Sequence, residues 1–181
     1  MQRKAPMPED ERRDPGGAEA DRGKWPQFGG AVRAGRYILP VRVYYEDTDF
    51  TGVVYHANYL RFMERARTEY LRLITARHPA LLAAAGEETP NYGFVVRTMK
   101  IDFFKPARMD DLLEVITEPN EVKGASLRVR QCVVRGAEIL VAADIRVAFV
   151  AAGRAAPIPR PLRIALEAGP GPASGPDSGG R

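Results

Sequence analysis

The sequence predicts an α+β domain, with one long helix lying on a face of an antiparallel sheet of about five strands. Three observations predict it. Apolar residues recur at helical spacing through Tyr59, Leu60, Met63, Ala66, Tyr70, Leu71 and Ile74. Strand-like stretches stand once before that helix and four times after it. Glycines and prolines fall between these stretches, where turns belong.

Residues 1–33 hold four prolines, five glycines and few apolar side chains, too little to offset chain entropy. They read as a disordered leader, with Trp25 and Phe28 as its exceptions. The first strand, residues 37–45, carries Ile38, Val41 and Val43, and Pro40 within it suggests an edge or a strand entrance. In a strand of period two, Asp47 and Asp49 would share a face opposite Glu46 and Thr48. The helix is expected over 58–76, with Asn58 as its N-cap and Arg61, Arg65, Thr68 and Arg72 on its wetter side. Arg65 and Glu69 are spaced to pair, and Glu64 has Arg67 or Thr68 within reach.

His78-Pro79 opens a short helical piece over 80–85, closed by Gly86. Strands then follow over 92–104, 112–118, 126–135 and 138–150. In the third of these Leu127, Val129, Gln131 and Val133 alternate with Arg128 and Arg130. Pro157, Pro159 and Pro161 end sheet pairing, and the Gly/Pro/Ser-rich residues 167–181 read as a flexible tail. The domain itself spans 34–166.

The chain has 181 residues and a formal charge of +4. Of this the leader holds +1, the body +4 and the tail −1. A modest basic excess suits a phosphate-bearing ligand and equally an ordinary surface. No basic helix with interleaved aromatics argues for nucleic acid. The two histidines and Cys132 are too scattered for a metal set, and nothing calls for a cofactor. A single cysteine excludes an internal disulfide framework and suits a reducing, cytoplasmic setting. No run approaches the ~20 apolar residues of a membrane helix, and the charged start of the chain lacks the apolar centre of a secretory signal.

The chemistry concentrates in residues 43–72. A strand gives way to an acidic turn with Gly52, then His56, then the helix start. First-turn amides and the helix dipole favour negative charge, and Asp49 can reach the same place from the strand side. A carboxylate beside amide donors is what acyl transfer needs. The same residues also make an ordinary Asx turn, which remains the structural alternative for Asp49.

Three segments carry a longer resemblance: Tyr44-Tyr45-Glu46-Asp47-Thr48-Asp49, Gly52-Val53-Val54-Tyr55-His56-Ala57-Asn58-Tyr59 and Glu64-Arg65-Ala66-Arg67-Thr68-Glu69. With Phe94-Val95-Val96-Arg97 and Pro106-Ala107-Arg108-Met109-Asp110-Asp111, they resemble the hotdog-fold acyl-CoA thioesterases. The match is to the Tol-Pal-associated branch of the 4-hydroxybenzoyl-CoA thioesterase family, over about residues 37–164. The resemblance implies a curved sheet wrapped around one helix and hydrolysis of an acyl-CoA or acyl-carrier-protein thioester. It places Asp49 as nucleophile or general base and the His56 amide at the thioester oxygen, with the His56 imidazole a further candidate. It also implies subunits paired sheet edge to sheet edge as a homodimer or homotetramer, with the site at their junction.

Tyr45 and Tyr55 are candidates to line an acyl pocket, with core or interface packing as the alternative. Gly52 is expected to supply a backbone geometry or close approach. Arg97, Lys105 and Arg108 are candidates to contact coenzyme A phosphates. Two other functions remain open, a hotdog dehydratase and a non-catalytic acyl-CoA or acyl-carrier-protein binding module.

Overall fold

The computed structural model describes residues 29–77 and 92–170. In chain order the elements are β1 (Ala31–Arg33), β2 (Arg36–Arg42), a 3-10 turn (Tyr45–Asp47), α1 (His56–Arg77), β3 (Tyr92–Phe103), β4 (Leu112–Lys123), β5 (Ser126–Arg135), β6 (Glu138–Ala151), β7 (Arg154–Ala155) and α2 (Arg160–Ala168). All strand pairs are antiparallel, in the order β1-β2-β4-β5-β6-β3, with β7 on the end of β6. The five longer strands are the five expected; β1 and β7 are short additions. The expected helical piece over 80–85 lies outside the described residues, as do Trp25, Phe28 and His78.

The helix forms as its periodicity requires. Tyr59, Phe62, Met63, Ala66, Tyr70 and Ile74, which fall on one face of the helix, are all buried against the sheet. Facing them are Leu113 and Val115 of β4, Leu127, Val129 and Val133 of β5, and Val141, Ile145 and Val147 of β6. Each large apolar side chain hidden this way contributes about 1.5–3 kcal/mol. The inward faces of β4 and β5 also carry two polar residues, Thr117 and Gln131, both fully buried. Gln131 donates to the Thr117 hydroxyl at 2.8 Å and to the Met63 carbonyl at 3.0 Å, and accepts from Arg67 at 2.6 Å. Arg67 also pairs with Glu64, one of the two partners expected for that carboxylate. Arg65 does not pair with Glu69; Arg72 does.

Four local expectations are corrected. The first long strand ends at Arg42, so Tyr44 and Tyr45 lie beyond it and Asp47 and Asp49 do not share a strand face. The sheet begins at Ala31, inside the stretch taken as leader. Asn58 does not cap α1, which starts two residues earlier; its side chain instead donates to the Asp47 carbonyl at 2.9 Å, buried under the hairpin. The fold also continues past Pro161 into α2, which buries Leu162, Ala165 and Leu166. Proline lacks only a donor that a first helical turn leaves unpaired, so Pro159 and Pro161 start this helix rather than end the fold. Pro40 does sit beside an open edge, since β1 pairs with β2 only as far as Ile38.

Candidate active site

The segment between β2 and α1 is a tight hairpin held on three sides. Thr48 bridges Val54, and the Asp49 amide donates to the Val53 carbonyl at 2.9 Å. The turn closes through the Gly52 amide on the Asp49 carbonyl at 2.9 Å, with Gly52 at φ +76°. No side chain crowds the space beside Gly52, so the requirement there is backbone geometry and not close approach. The second anchor is Ala107, fully buried, whose carbonyl accepts from the Val54 amide at 2.9 Å and whose amide donates to the Tyr59 hydroxyl at 2.8 Å. Ala107 thus ties the hairpin, the first turn of α1 and the 104–108 loop together. The third is Asp47, buried, whose carboxylate accepts from the Tyr44 amide at 2.9 Å while its carbonyl accepts from the Tyr55 amide at 2.9 Å.

With Asp47 spent on structure, Asp49 is the exposed carboxylate of the pair. One of its oxygens, Oδ1, accepts from the Thr51 amide at 2.8 Å and the Thr51 hydroxyl at 2.6 Å. The other oxygen has no partner among the described residues. The two Thr51 donors, aided by the charge of His56, hold the Asp49 carboxyl below the usual aspartate range. Asp49 is therefore both things the sequence allowed, a turn ligand through one oxygen and an available carboxylate through the other.

At the mouth of α1 the Asn58 amide donates to the Tyr55 carbonyl at 2.8 Å. The amides of His56 and Ala57 have no acceptor among the described residues, as expected of a helix start. Beside them lies an open cleft of about 270 Å³ lined by Val54, His56, Tyr59, Phe103 and Lys105. The His56 ring stands exposed between Tyr55, at 4.3 Å between centroids, and Phe103, at 6.4 Å edge-on. The two donors and the apolar wall can polarise a carbonyl in the cleft; Asp49 does not line it, but lies near enough for its carboxylate to feel the charge of His56.

The other expected site residues are placed unevenly. Tyr55 packs against His56 with its ring tilted by 54°, and Tyr45 is 80% exposed on the 3-10 turn; neither lines the cleft. Lys105 lines the cleft but is ion-paired with Glu138. Arg108 bridges Val53 through its backbone, so its position is close, and its guanidinium has no ion pair among the described residues. Arg97 is the bulged residue of β3, between Val96 and Thr98. It lies six residues from Phe103, ~20 Å along the strand, so one chain does not bring it to the cleft. Thr51, Tyr59, Phe103 and Ala107 were not anticipated. Only Thr51 had a sequence signal, the Asp-x-Thr pattern of an Asx turn.

Comparison with known proteins decides the family. Residues 51–142 match the family described as the Thioesterase superfamily. The chain belongs to that superfamily. Among its superfamily relatives, it is 47% identical over 128 residues to the acyl-CoA thioesterase YbgC of Haemophilus influenzae, covering 71% of this chain and 90% of that one. A probable thioesterase from Bartonella henselae is 38% identical, covers 68% of this chain and 98% of its own, and superposes with a TM-score of 0.57. A thioesterase from Thermus thermophilus, solved with coenzyme A and zinc, is 28% identical with a TM-score of 0.60, over 72% and 91% of the two chains. The fold of this superfamily member is the hotdog, an antiparallel sheet packed on one long helix. No cluster of metal-ligating side chains occurs among its described residues.

Proposed function

We propose that this chain hydrolyses acyl-CoA thioesters to the free acid and coenzyme A, with Asp49 as nucleophile and the amides of His56 and Ala57 as oxyanion donors. The unpartnered Asp49 oxygen beside a helix mouth with two unpaired amides carries the reading. The carboxylate attacks the thioester carbonyl, the carbon–sulfur bond breaks, and thiolate leaves. Water then opens the mixed anhydride and restores Asp49. The lowered pKa keeps Asp49 ionised, the state in which its open oxygen can attack. The kinship to an acyl-CoA thioesterase and to a thioesterase solved with coenzyme A supports the substrate class.

The working unit in this reading is a pair of chains or a tetramer. β3 is twelve residues long and, among the described residues, pairs only with β6, and Val95, Val96 and Phe103 on it are each about half exposed. Such an edge invites a second copy, which also brings an Arg97 toward each cleft. Arg97, Arg108 and Lys105 then serve the nucleotide phosphates of coenzyme A or the phosphopantetheine of a carrier protein. A cytoplasmic setting, which the single free cysteine suits, and a role beside the Tol-Pal envelope machinery belong to the same proposal.

The test is release of free thiol. Incubation with acyl-CoA and a thiol reagent yields colour in step with acid for a thioesterase. A dehydratase consumes the thioester without freeing thiol, and a binding module leaves it intact.

A further inference from the structure

A row of four alternating charges leads away from the wall of the thioester cleft. Lys105, in that wall, pairs with Glu138; Glu138 pairs with Arg135 at 2.7 Å, and Arg135 with Asp111 at 2.6 Å. The far three stand on fixed backbone. Arg135 and Glu138 are cross-strand partners at the turn between β5 and β6. The Asp111 amide donates to the Arg108 carbonyl at 3.1 Å, its carboxylate accepts from the Arg108 amide at 2.8 Å, and its carbonyl accepts from the Val43 amide at 3.0 Å.

Lys105 differs from the others in two ways. Its side chain is the most exposed of the four, at 57%, and Glu138 is its one ion-pair partner among the described residues. Glu138, in contrast, is shared by two cations, and its bonds to Lys105 and then Arg135 hold its carboxyl below the usual glutamate range. A lysine carries its charge on a flexible four-carbon stem, and an exposed pair of this kind is weak. Lys105 can therefore leave without stranding a carboxylate, because Arg135 stays on Glu138. Without Arg135 the same departure would leave Glu138 bare beside the cleft, where it repels an anionic ligand. A diphosphate brings more charge and more acceptor oxygens than one carboxylate, so it draws the ammonium away.

We infer that Lys105 is an exchangeable cation, docked on Glu138 while the cleft is empty and transferred to the phosphates of coenzyme A when substrate binds, and that Arg135 is the positioning residue that permits the exchange. The site then favours thioesters with a nucleotide diphosphate over the same acyl group on a carrier without phosphate. The inference rests on the thioester reading and on the place of Lys105 in it.

The experiment measures KM and kcat for acetyl, hexanoyl and benzoyl groups, each carried on coenzyme A and on pantetheine, which keeps the thioester and lacks the phosphates. In the unaltered protein KM is lower for the coenzyme A thioesters. Arg135→Gln raises that KM by about 5-fold, the upper scale of one exposed charge pair, while kcat and the pantetheine KM stay within about 2-fold. Glu138→Gln frees Lys105 and removes a repelling charge, so it lowers the coenzyme A KM. Combining the two substitutions abolishes the rise that Arg135→Gln causes alone. Damage to the turn would instead raise KM for both carriers, and the second substitution would not relieve it. That pattern, or an unchanged coenzyme A KM in Arg135→Gln, would overturn the inference while leaving the thioesterase standing. Thiol release from none of these thioesters would overturn the thioester reading itself.

Discussion

Thr51 grips one oxygen of Asp49 with two donors, its amide at 2.8 Å and its hydroxyl at 2.6 Å, and leaves the second oxygen facing solvent. The arrangement orients the carboxylate and keeps it ionised. The acid limb of kcat/KM is then expected below the ordinary aspartate value of ~3.9, because the folded-state pKa is lowered. Thr51→Val removes one donor and should move that limb upward toward the ordinary value. A pH–rate profile of the two proteins checks it; a limb that stays put denies Thr51 this role.

Tyr59 accepts the buried Ala107 amide, and that bond joins α1 to the loop bearing Lys105 and Arg108. Tyr59→Phe leaves the amide unsatisfied and should cost about 1–3 kcal/mol. Urea unfolding followed by circular dichroism reads the loss. KM for the acyl-CoA should rise as well, since the same loop walls the cleft.

Gln131 links Arg67, Thr117 and the Met63 carbonyl inside the core. Gln131→Leu strands a buried guanidinium with Glu64 as its remaining partner. The expected loss is about 1–3 kcal/mol, measured by the same unfolding experiment, and a neutral result would mean that the cluster does not hold the helix to the sheet.

The open β3 edge predicts a particle of at least twice the 20.0 kDa chain in sedimentation. Val95→Lys sets like charges against each other across the paired edge, so it should shift the particle toward one chain and lower thiol release with it. Full activity in a chain that sediments alone would remove the second copy from the site.

Much of this was legible because periodicity is a local signal. Val129, Gln131 and Val133 alternate with Arg128 and Arg130, and β5 has the bounds that alternation implies. α2 was hidden because Pro157, Pro159 and Pro161 look like an ending, although two of them fit a helix start. Asn58 has the side chain of a cap, but a long-range bond to the Asp47 carbonyl outweighed the local one. The contact of Tyr59 with Ala107 spans 48 residues, and no spacing rule reaches that far. Asp49 stood out by its motif, whereas the split use of its two oxygens emerged only with the hairpin folded.

Thiol release by Asp49→Asn tests the central claim most directly. The substitution keeps the shape and leaves an oxygen for Thr51 to grip, while removing the attacking charge. The predicted result is a loss of at least ~100-fold in kcat with the unfolding midpoint retained. A rate equal to that of the unaltered protein would contradict the account.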